Sequence, residues 1–485
     1  MHFSIPDTQE FVDSAGNPYL AYNIHINGLF HCTVRYKQLL NLHEQLAKDL
    51  DVPLPPFPPK KFFPLTANQQ EDRRLALERY IQTIGQNTAI NNSELLNGFL
   101  LNAQQESGDR TTENENFDVF LMNGQSITVK VSTADNSTNV LKKVCKHLKL
   151  RKQFDAYFAL FVMIVSEEGQ INGQYILRRL QDFESPLMTL ANIGAIGVKV
   201  MVAKGYWDIG YDLDIVRDPV ALNLLYVQTL SEIERGCIPI KDDLRNRLHE
   251  AQNRGGKREF LEVARTLKYY GYVHFVPCYC DYPQPGSKVQ VAIGQNELNL
   301  RIVMEGEEEH EAVFKVTRMR CWRITTLHNG TERCEETNEC SLELSFEYLM
   351  ARNNLQWITV SSEQAILMSV CLQAMIDELL LKSVGGNKTA EVSGKSWTYV
   401  MRDGHSRLVI GSASNENICK TSKEDDRGSR RAEPVIKKLA DRFSVGKSRS
   451  SSESRVSAVG PDRRRKTDCD ITENNAFHMI GDDDL

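Results

Sequence analysis

Residues Tyr19–Tyr36 read YLAYNIHINGLFHCTVRY, and this stretch decides the fold of the N-terminal part. LAYNIHI alternates in polarity, as does LFHCTVRY, and Asn27-Gly28 between them is a strong two-residue hairpin signal. The next segment, LLNLHEQLAKDL, switches to helical spacing, with Leu39, Leu42, Leu46 and Leu50 near one face. A proline run, PLPPFPPKK, follows, and then helical stretches from Gln70 to Thr83 and Ser93 to Gln104. Residues 1–107 therefore read as one α+β unit, closed by a polar linker, Gly108 to Asn116.

Three elements of this unit carry basic residues. Arg35-Tyr36 ends a strand, Pro58-Pro59-Lys60-Lys61 lies in the proline run, and Arg73-Arg74 opens a helix continuing through Leu77 and Tyr80. A phosphorylated inositol ring needs such a set. Guanidinium groups grip phosphate oxygens bidentately, a lysine adds a point charge, and an aromatic ring floors the sugar. The blander alternatives are a solvated Arg-Arg face and a Pro-x-x-Pro-x-Lys ligand for SH3 domains. Together the elements resemble the PX domain of the sorting nexins. The resemblance implies that Arg35 binds the 3-phosphate, Tyr36 stacks under the ring, Lys60 meets the 1-phosphate and Arg73 the 4- and 5-hydroxyls of phosphatidylinositol 3-phosphate. Phe62, Phe63 and Leu65 directly follow the lysines and are candidates for insertion into the bilayer interface.

The second block opens with another hairpin, FDVFLMNGQSITVKVS, then a helix, NVLKKVCKHLKL, and strands to about Ala203, an order that suits a ubiquitin-like fold. Helical segments ending at Gly236 and Gly271 come next. A strand-rich stretch from Val273 to Val360, closed by SSEQAILMSVCLQAMIDELLLK, describes a PH/PTB-like sandwich. LNLLYVQTLSEIERG, FLEVARTLKYYGY, RMRCWRIT, LELSFEYLM and LQWITVSSEQAILMS make the block resemble the atypical FERM domain found beside PX in the sorting nexin-17 subfamily. The resulting expectation is an α+β multidomain chain. A PX domain (1–107) is followed by FERM lobes F1 (115–204, ubiquitin-like), F2 (205–272, helical) and F3 (273–383, PTB-like), then a disordered tail (384–485).

A sandwich of this kind leaves a groove between its helix and edge strand, where an extended peptide can add. Arg318 to Arg323 reads as that edge, with Arg320 beside an incoming strand and Trp322 facing the groove; Leu372, Ile376 and Leu380 share a helix face, and Leu349 joins them. The bland reading is that the leucines, isoleucine and tryptophan are core. The resemblance implies binding of Asn-Pro-x-Tyr or Asn-x-x-Tyr/Phe cytosolic tails of receptors such as lipoprotein receptors and integrins. It also implies that Ile480, Gly481, Asp482, Asp483, Asp484 and Leu485 dock on the Retriever recycling complex. Asn474 and Phe477 form an Asn-x-x-Phe sequence in the same tail, so the chain carries a ligand for its own groove.

The formal net charge of −6 argues against nucleic-acid binding by bulk charge. The start, MHFSIPDTQEF, lacks a signal-peptide pattern. Eleven scattered cysteines, an odd number, read as reduced thiols, and no zinc-finger spacing or other metal set is present. Hydrolase, zinc-protease and P-loop motifs are missing, so neither an enzyme nor a cofactor is expected. The resemblance implies a peripheral adaptor on the cytosolic face of early endosomes. It would divert cargo from lysosomal degradation to plasma-membrane recycling. Two alternatives remain: a Ras-type small GTPase effector acting through the ubiquitin-like lobe, and a FERM cytoskeletal scaffold.

Overall fold

The computed structural model describes residues 1–13, 15–61, 64–108, 114–165, 174–195, 197–302, 310–328, 340–383, 396–402, 405–410, 465–468 and 471–479. In the N-terminal domain, the strand Pro18–Ile26 pairs antiparallel with Phe3–Ser4, Thr8–Val12 and Leu29–Arg35. Asn27 and Gly28 both take positive φ, 50° and 84°, the geometry that a two-residue hairpin matched to strand twist demands. Helices Tyr36–Asp49, Ala67–Gln86 and Glu94–Ser107 pack on this sheet. Leu39, Leu42, Leu46, Leu77, Tyr80 and Ile81 are buried between them.

The next lobe is a mixed five-stranded sheet in the spatial order Ser126–Val131, Glu115–Phe120, Val198–Lys204, Phe158–Val165, Gln174–Arg179. Its central pair, Glu115–Phe120 and Val198–Lys204, is parallel, and the helix Ser137–Leu148 links Ser126–Val131 to Phe158–Val165. The helices Pro219–Glu234, Asp242–Asn253 and Lys257–Ala264 form a second lobe that shares one hydrophobic core with the first.

The third lobe carries an antiparallel sheet running from His310–Lys315 through Glu297–Ile302, Ser287–Gly294, Cys278–Cys280, Asn354–Ser361 and Cys340–Ala351 to the strand Met319–His328, the lobe's own edge. The helix Ala365–Ser383 packs across it, burying Met368, Leu372, Met375 and Ile376. Glu378 of this helix accepts the backbone N–H groups of Trp207 and Asp208 at 2.8 and 2.7 Å, tying the third lobe to the junction of the other two. The N-terminal domain is docked through buried polar contacts. Ser185 N–H donates to Gln104 at 2.8 Å, and the His31 ring meets Phe183 edge-on. A bidentate Arg178–Glu184 pair, 2.6 Å on each arm, lies beside this junction.

The tail departs from a wholly unstructured reading. Strands Ser396–Val400 and Ser406–Ile410 form a hairpin against the N-terminal domain, and Arg465–Asp468 and Thr472–Glu473 add to the third lobe's sheet.

Candidate functional site

The N-terminal site is built around Tyr36, the first residue of its helix. Its hydroxyl donates to the Pro58 carbonyl at 2.7 Å, fastening the proline loop that carries Lys60. The Arg73 guanidinium lies over the Tyr36 ring at 4.6 Å, and its Nη2 is buried without a partner. A buried donor left unpaired is costly, so an anion is the natural complement. The neighbouring Arg74 is occupied instead: Glu71 and Glu78 pair with it, and it donates to the Ile5 carbonyl. This distinguishes two arginines that are adjacent in sequence. Lys60 is exposed and Leu65 half-buried, while Phe62 and Phe63 lie outside the described residues. Arg35 makes a different set of contacts from Arg73. Its guanidinium covers the Tyr19 ring at 3.7 Å, and Nη1 donates to the Arg402 carbonyl at 2.8 Å.

The second site is the edge of the third lobe, and it is filled by the chain's own tail. Thr472–Glu473 pairs antiparallel with the edge strand, Thr472 opposite Trp322 and Glu473 opposite Cys321. Asn474 then turns inward and is 4% exposed. Its backbone N–H donates to the Arg320 carbonyl at 3.1 Å, and its Nδ2 donates to the carbonyls of Val316 and Met319 at 2.7 and 2.6 Å. Its Oδ1 accepts the Ala476 N–H at 2.9 Å, and the Phe477 N–H closes a turn onto the Asn474 carbonyl at 3.1 Å. Only a carboxamide offers two N–H donors and an acceptor at once; aspartate would set carboxylate oxygens against two carbonyls. Ala476 is fully buried in the cluster that contains Leu372 and Ile376.

Several expected groove residues are placed differently. Trp322 is fully enclosed, and its indole N–H donates to Ser369 on the helix at 2.9 Å. It joins strand to helix from within; a ring of that size is better stabilised inside the sandwich than on its rim, so the expectation of a free face is corrected. Leu372 and Ile376 likewise belong to the lobe's core, with Leu380 packed partly buried at its margin. Leu349 stands outside this cluster, half-buried, its carbonyl accepting Arg318 Nε at 2.9 Å. Arg320 forms an ion pair with Glu347 and keeps about half its side chain exposed (51%), while its backbone carbonyl serves the tail. The carbonyls of Val316 and Met319 had no signal in the sequence, because every residue type supplies one. Ile480, Gly481, Asp482, Asp483, Asp484 and Leu485 lie outside the described residues.

Among the described residues the thiols are not set up for chemistry. Burial pushes the thiols of Cys145, Cys278 and Cys371 up to about 12, far from a reactive thiolate. Among the described residues no cluster of three metal-ligating side chains occurs, and no helix is long and apolar enough to cross a membrane.

Comparison with known proteins assigns each domain to a family. Residues 22–103 match the PX domain, 115–207 the F1 lobe of the FERM domain of sorting nexins 17, 27 and 31, 208–268 the F2 lobe of sorting nexins 17 and 31, and 271–380 the sorting nexin 17 FERM C-terminal domain. Sorting nexin-17 of Danio rerio is 40% identical over 495 residues, covering 100% of both chains. The chain belongs to the sorting nexin-17 family. Sorting nexin-17 of Homo sapiens is 44% identical over 394 residues, 80% of this chain and 83% of the relative. Sorting nexin-31 of Homo sapiens is 32% identical over 88% of this chain and 97% of the relative. Family membership makes this an endosomal sorting nexin, in which a PX domain serves phosphoinositide binding and a FERM domain serves peptide motifs.

Proposed function

We propose that this sorting nexin is a non-enzymatic cargo adaptor with two recognition sites. The PX pocket holds phosphatidylinositol 3-phosphate through Arg35, Tyr36, Lys60 and Arg73, with Phe62, Phe63 and Leu65 at the membrane interface. The F3 edge strand takes Asn-Pro-x-Tyr or Asn-x-x-Tyr/Phe cytosolic tails, as of lipoprotein receptors and integrins, and the carboxyl-terminal Ile480–Leu485 segment hands them to the Retriever complex for recycling. The observation that supports this reading is the Asn474 turn, whose carboxamide uses the Val316 and Met319 carbonyls and Ala476 N–H together. Any peptide with asparagine three residues before an aromatic can present the same groups. No observation on the F1 lobe favours GTPase binding over this.

In the same reading the tail occupies its own groove until cargo displaces it. Tethering raises the local concentration of even a weak ligand toward the millimolar range, so a short motif of this kind stays populated. Displacement frees Ile480–Leu485, six residues after Asn474, for its partner. The test measures a fluorescent Asn-Pro-x-Tyr peptide against the full chain, Asn474→Ala and Phe477→Ala. Tighter peptide binding by both variants supports competition; equal affinity for all three refutes it.

A further inference from the structure

Arg35 meets a segment 367 residues away in sequence. The Arg402 carbonyl that accepts from it belongs to the turn side of the hairpin Ser396–Val400 and Ser406–Ile410. This hairpin is built into the PX domain. Tyr399 is 1% exposed and belongs to the domain's core cluster, with Met401 and Val409 packed against it. The Thr398 carbonyl accepts from Gln45 at 2.7 Å and from Asn41 at 3.0 Å, and its N–H donates back to Gln45 at 3.1 Å.

The contacts converge on Glu106, near the end of the last PX helix. Its carboxylate accepts the Tyr399 hydroxyl at 2.7 Å and Gln38 Nε2 at 3.0 Å. The Arg402 backbone N–H also donates to it, and the Arg402 guanidinium stands 3.6 Å away. Arg402 therefore faces two ways. Its N–H and side chain satisfy Glu106, and its carbonyl holds Arg35. Arg35 is thus one residue removed from a carboxylate and does not pair with it. Among the described residues Arg35 enters no ion pair; Asp13, whose exposed carboxyl is held below its usual range first by the Asn17 backbone N–H, feels Arg35 only weakly. Without Tyr399 and Arg402 the Glu106 carboxylate would be left to seek another cation, and a phosphate would have to compete with it for Arg35.

We infer that residues 396–402 and 405–410 are a working part of the lipid pocket. The hairpin neutralises Glu106 and fixes the Arg35 guanidinium uncompensated, ready for a phosphate group; Tyr399, Arg402 and Glu106 are positioning residues for that step. The inference rests on the phosphoinositide reading of the PX pocket given above.

The test uses the full chain and vesicles with or without phosphatidylinositol 3-phosphate. Tyr399→Ala removes the anchor of the hairpin and is expected to weaken binding about fivefold to tenfold, on the scale of one or two charge-assisted hydrogen bonds. Adding Glu106→Gln to Tyr399→Ala removes the competing charge and restores affinity to within about twofold of the parent. A purely structural hairpin would not give that rescue. Should Tyr399→Ala fail to fold, Tyr399→Phe, with and without Glu106→Gln, makes the same comparison with the packing kept. Undiminished binding by the Tyr399 variants, or a loss that Glu106→Gln does not rescue, overturns the inference. Full binding by Arg35→Gln overturns the pocket reading itself, which separates the two failures.

Discussion

In the proposed function the PX pocket and the F3 groove recognise by opposite means. In the pocket, side chains do the recognising: a guanidinium with a buried, unpaired Nη2 at Arg73, an exposed Lys60, and Arg35 held by a carbonyl rather than a carboxylate. In the groove the main chain does it. The carbonyls of Val316, Met319 and Arg320 read the asparagine, while Trp322, Leu372 and Ile376 form the wall behind them. A charged ligand needs charges left free. An extended peptide needs an unpaired edge held rigid by a filled core.

The largest expected effect tests whether the groove's apolar residues are wall or surface. Trp322→Ala should destabilise the F3 lobe by about 3–5 kcal/mol, as loss of a fully buried aromatic does. Urea melts of the full chain, followed by a probe in that lobe, measure this, and vesicle binding should persist. A variant that melts like the parent yet loses the cargo peptide would make Trp322 a contact surface and erase the contrast. Next in size is Arg35→Gln. Losing a charged donor to phosphate should cost about 1.5–3 kcal/mol, or tenfold or more in affinity for phosphatidylinositol 3-phosphate vesicles. Peptide affinity should be unchanged in the same sample.

A pH titration sharpens the comparison at the PX–F1 junction. Burial pushes the fully enclosed His31 down to about 4; Arg178 adds to this, while Glu184 and the Leu100 carbonyl oppose it. A histidine whose folded pKa is depressed adds stability above its unfolded value near 6.5, and loses it as pH falls toward 4. At pH 5 the loss is about 2 kcal/mol. Amide protection factors in the PX helices, corrected for the intrinsic pH dependence of exchange, should fall accordingly, and His31→Gln should flatten the dependence. Protection factors that do not change between pH 7 and pH 5 would contradict the buried neutral assignment. The smallest effect is in the tail. Asn474→Ala gives up two side-chain donations and one acceptance, but the groove refills with water or peptide, so about 1 kcal/mol is expected. It should appear as a several-fold gain in the cargo peptide's affinity.

Much of the fold was legible because its signals are short-range. Asn27-Gly28 specifies the hairpin through backbone torsions at two residues, and Leu39, Leu42 and Leu46 specify a helix face by spacing alone. The set Arg35, Tyr36, Lys60 and Arg73 could be named because phosphate recognition calls for particular side chains, and Tyr36 and Arg73 do come together. The groove was harder. A strand tryptophan and a leucine stripe look alike whether they face a ligand or a core, and the structure encloses Trp322 and Leu372. The hairpin from Ser396 to Ile410 did carry a signal, alternation around Asp403-Gly404, within a region whose composition reads as unfolded.

By itself, then, the sequence determined the element types, the order of the PX domain and FERM lobes, and the chemical kinds of residue available for lipid and for peptide. Which arginine at the helix start is spent on Glu71 and which keeps a buried Nη2 without a partner, which carbonyls read Asn474, and which residue separates Glu106 from Arg35 were decided only in three dimensions. The reason is physical. Local torsions and periodicity act over a few residues, whereas ion pairing and hydrogen bonding depend on distances between segments that the chain brings together only when its hydrophobic cores have closed.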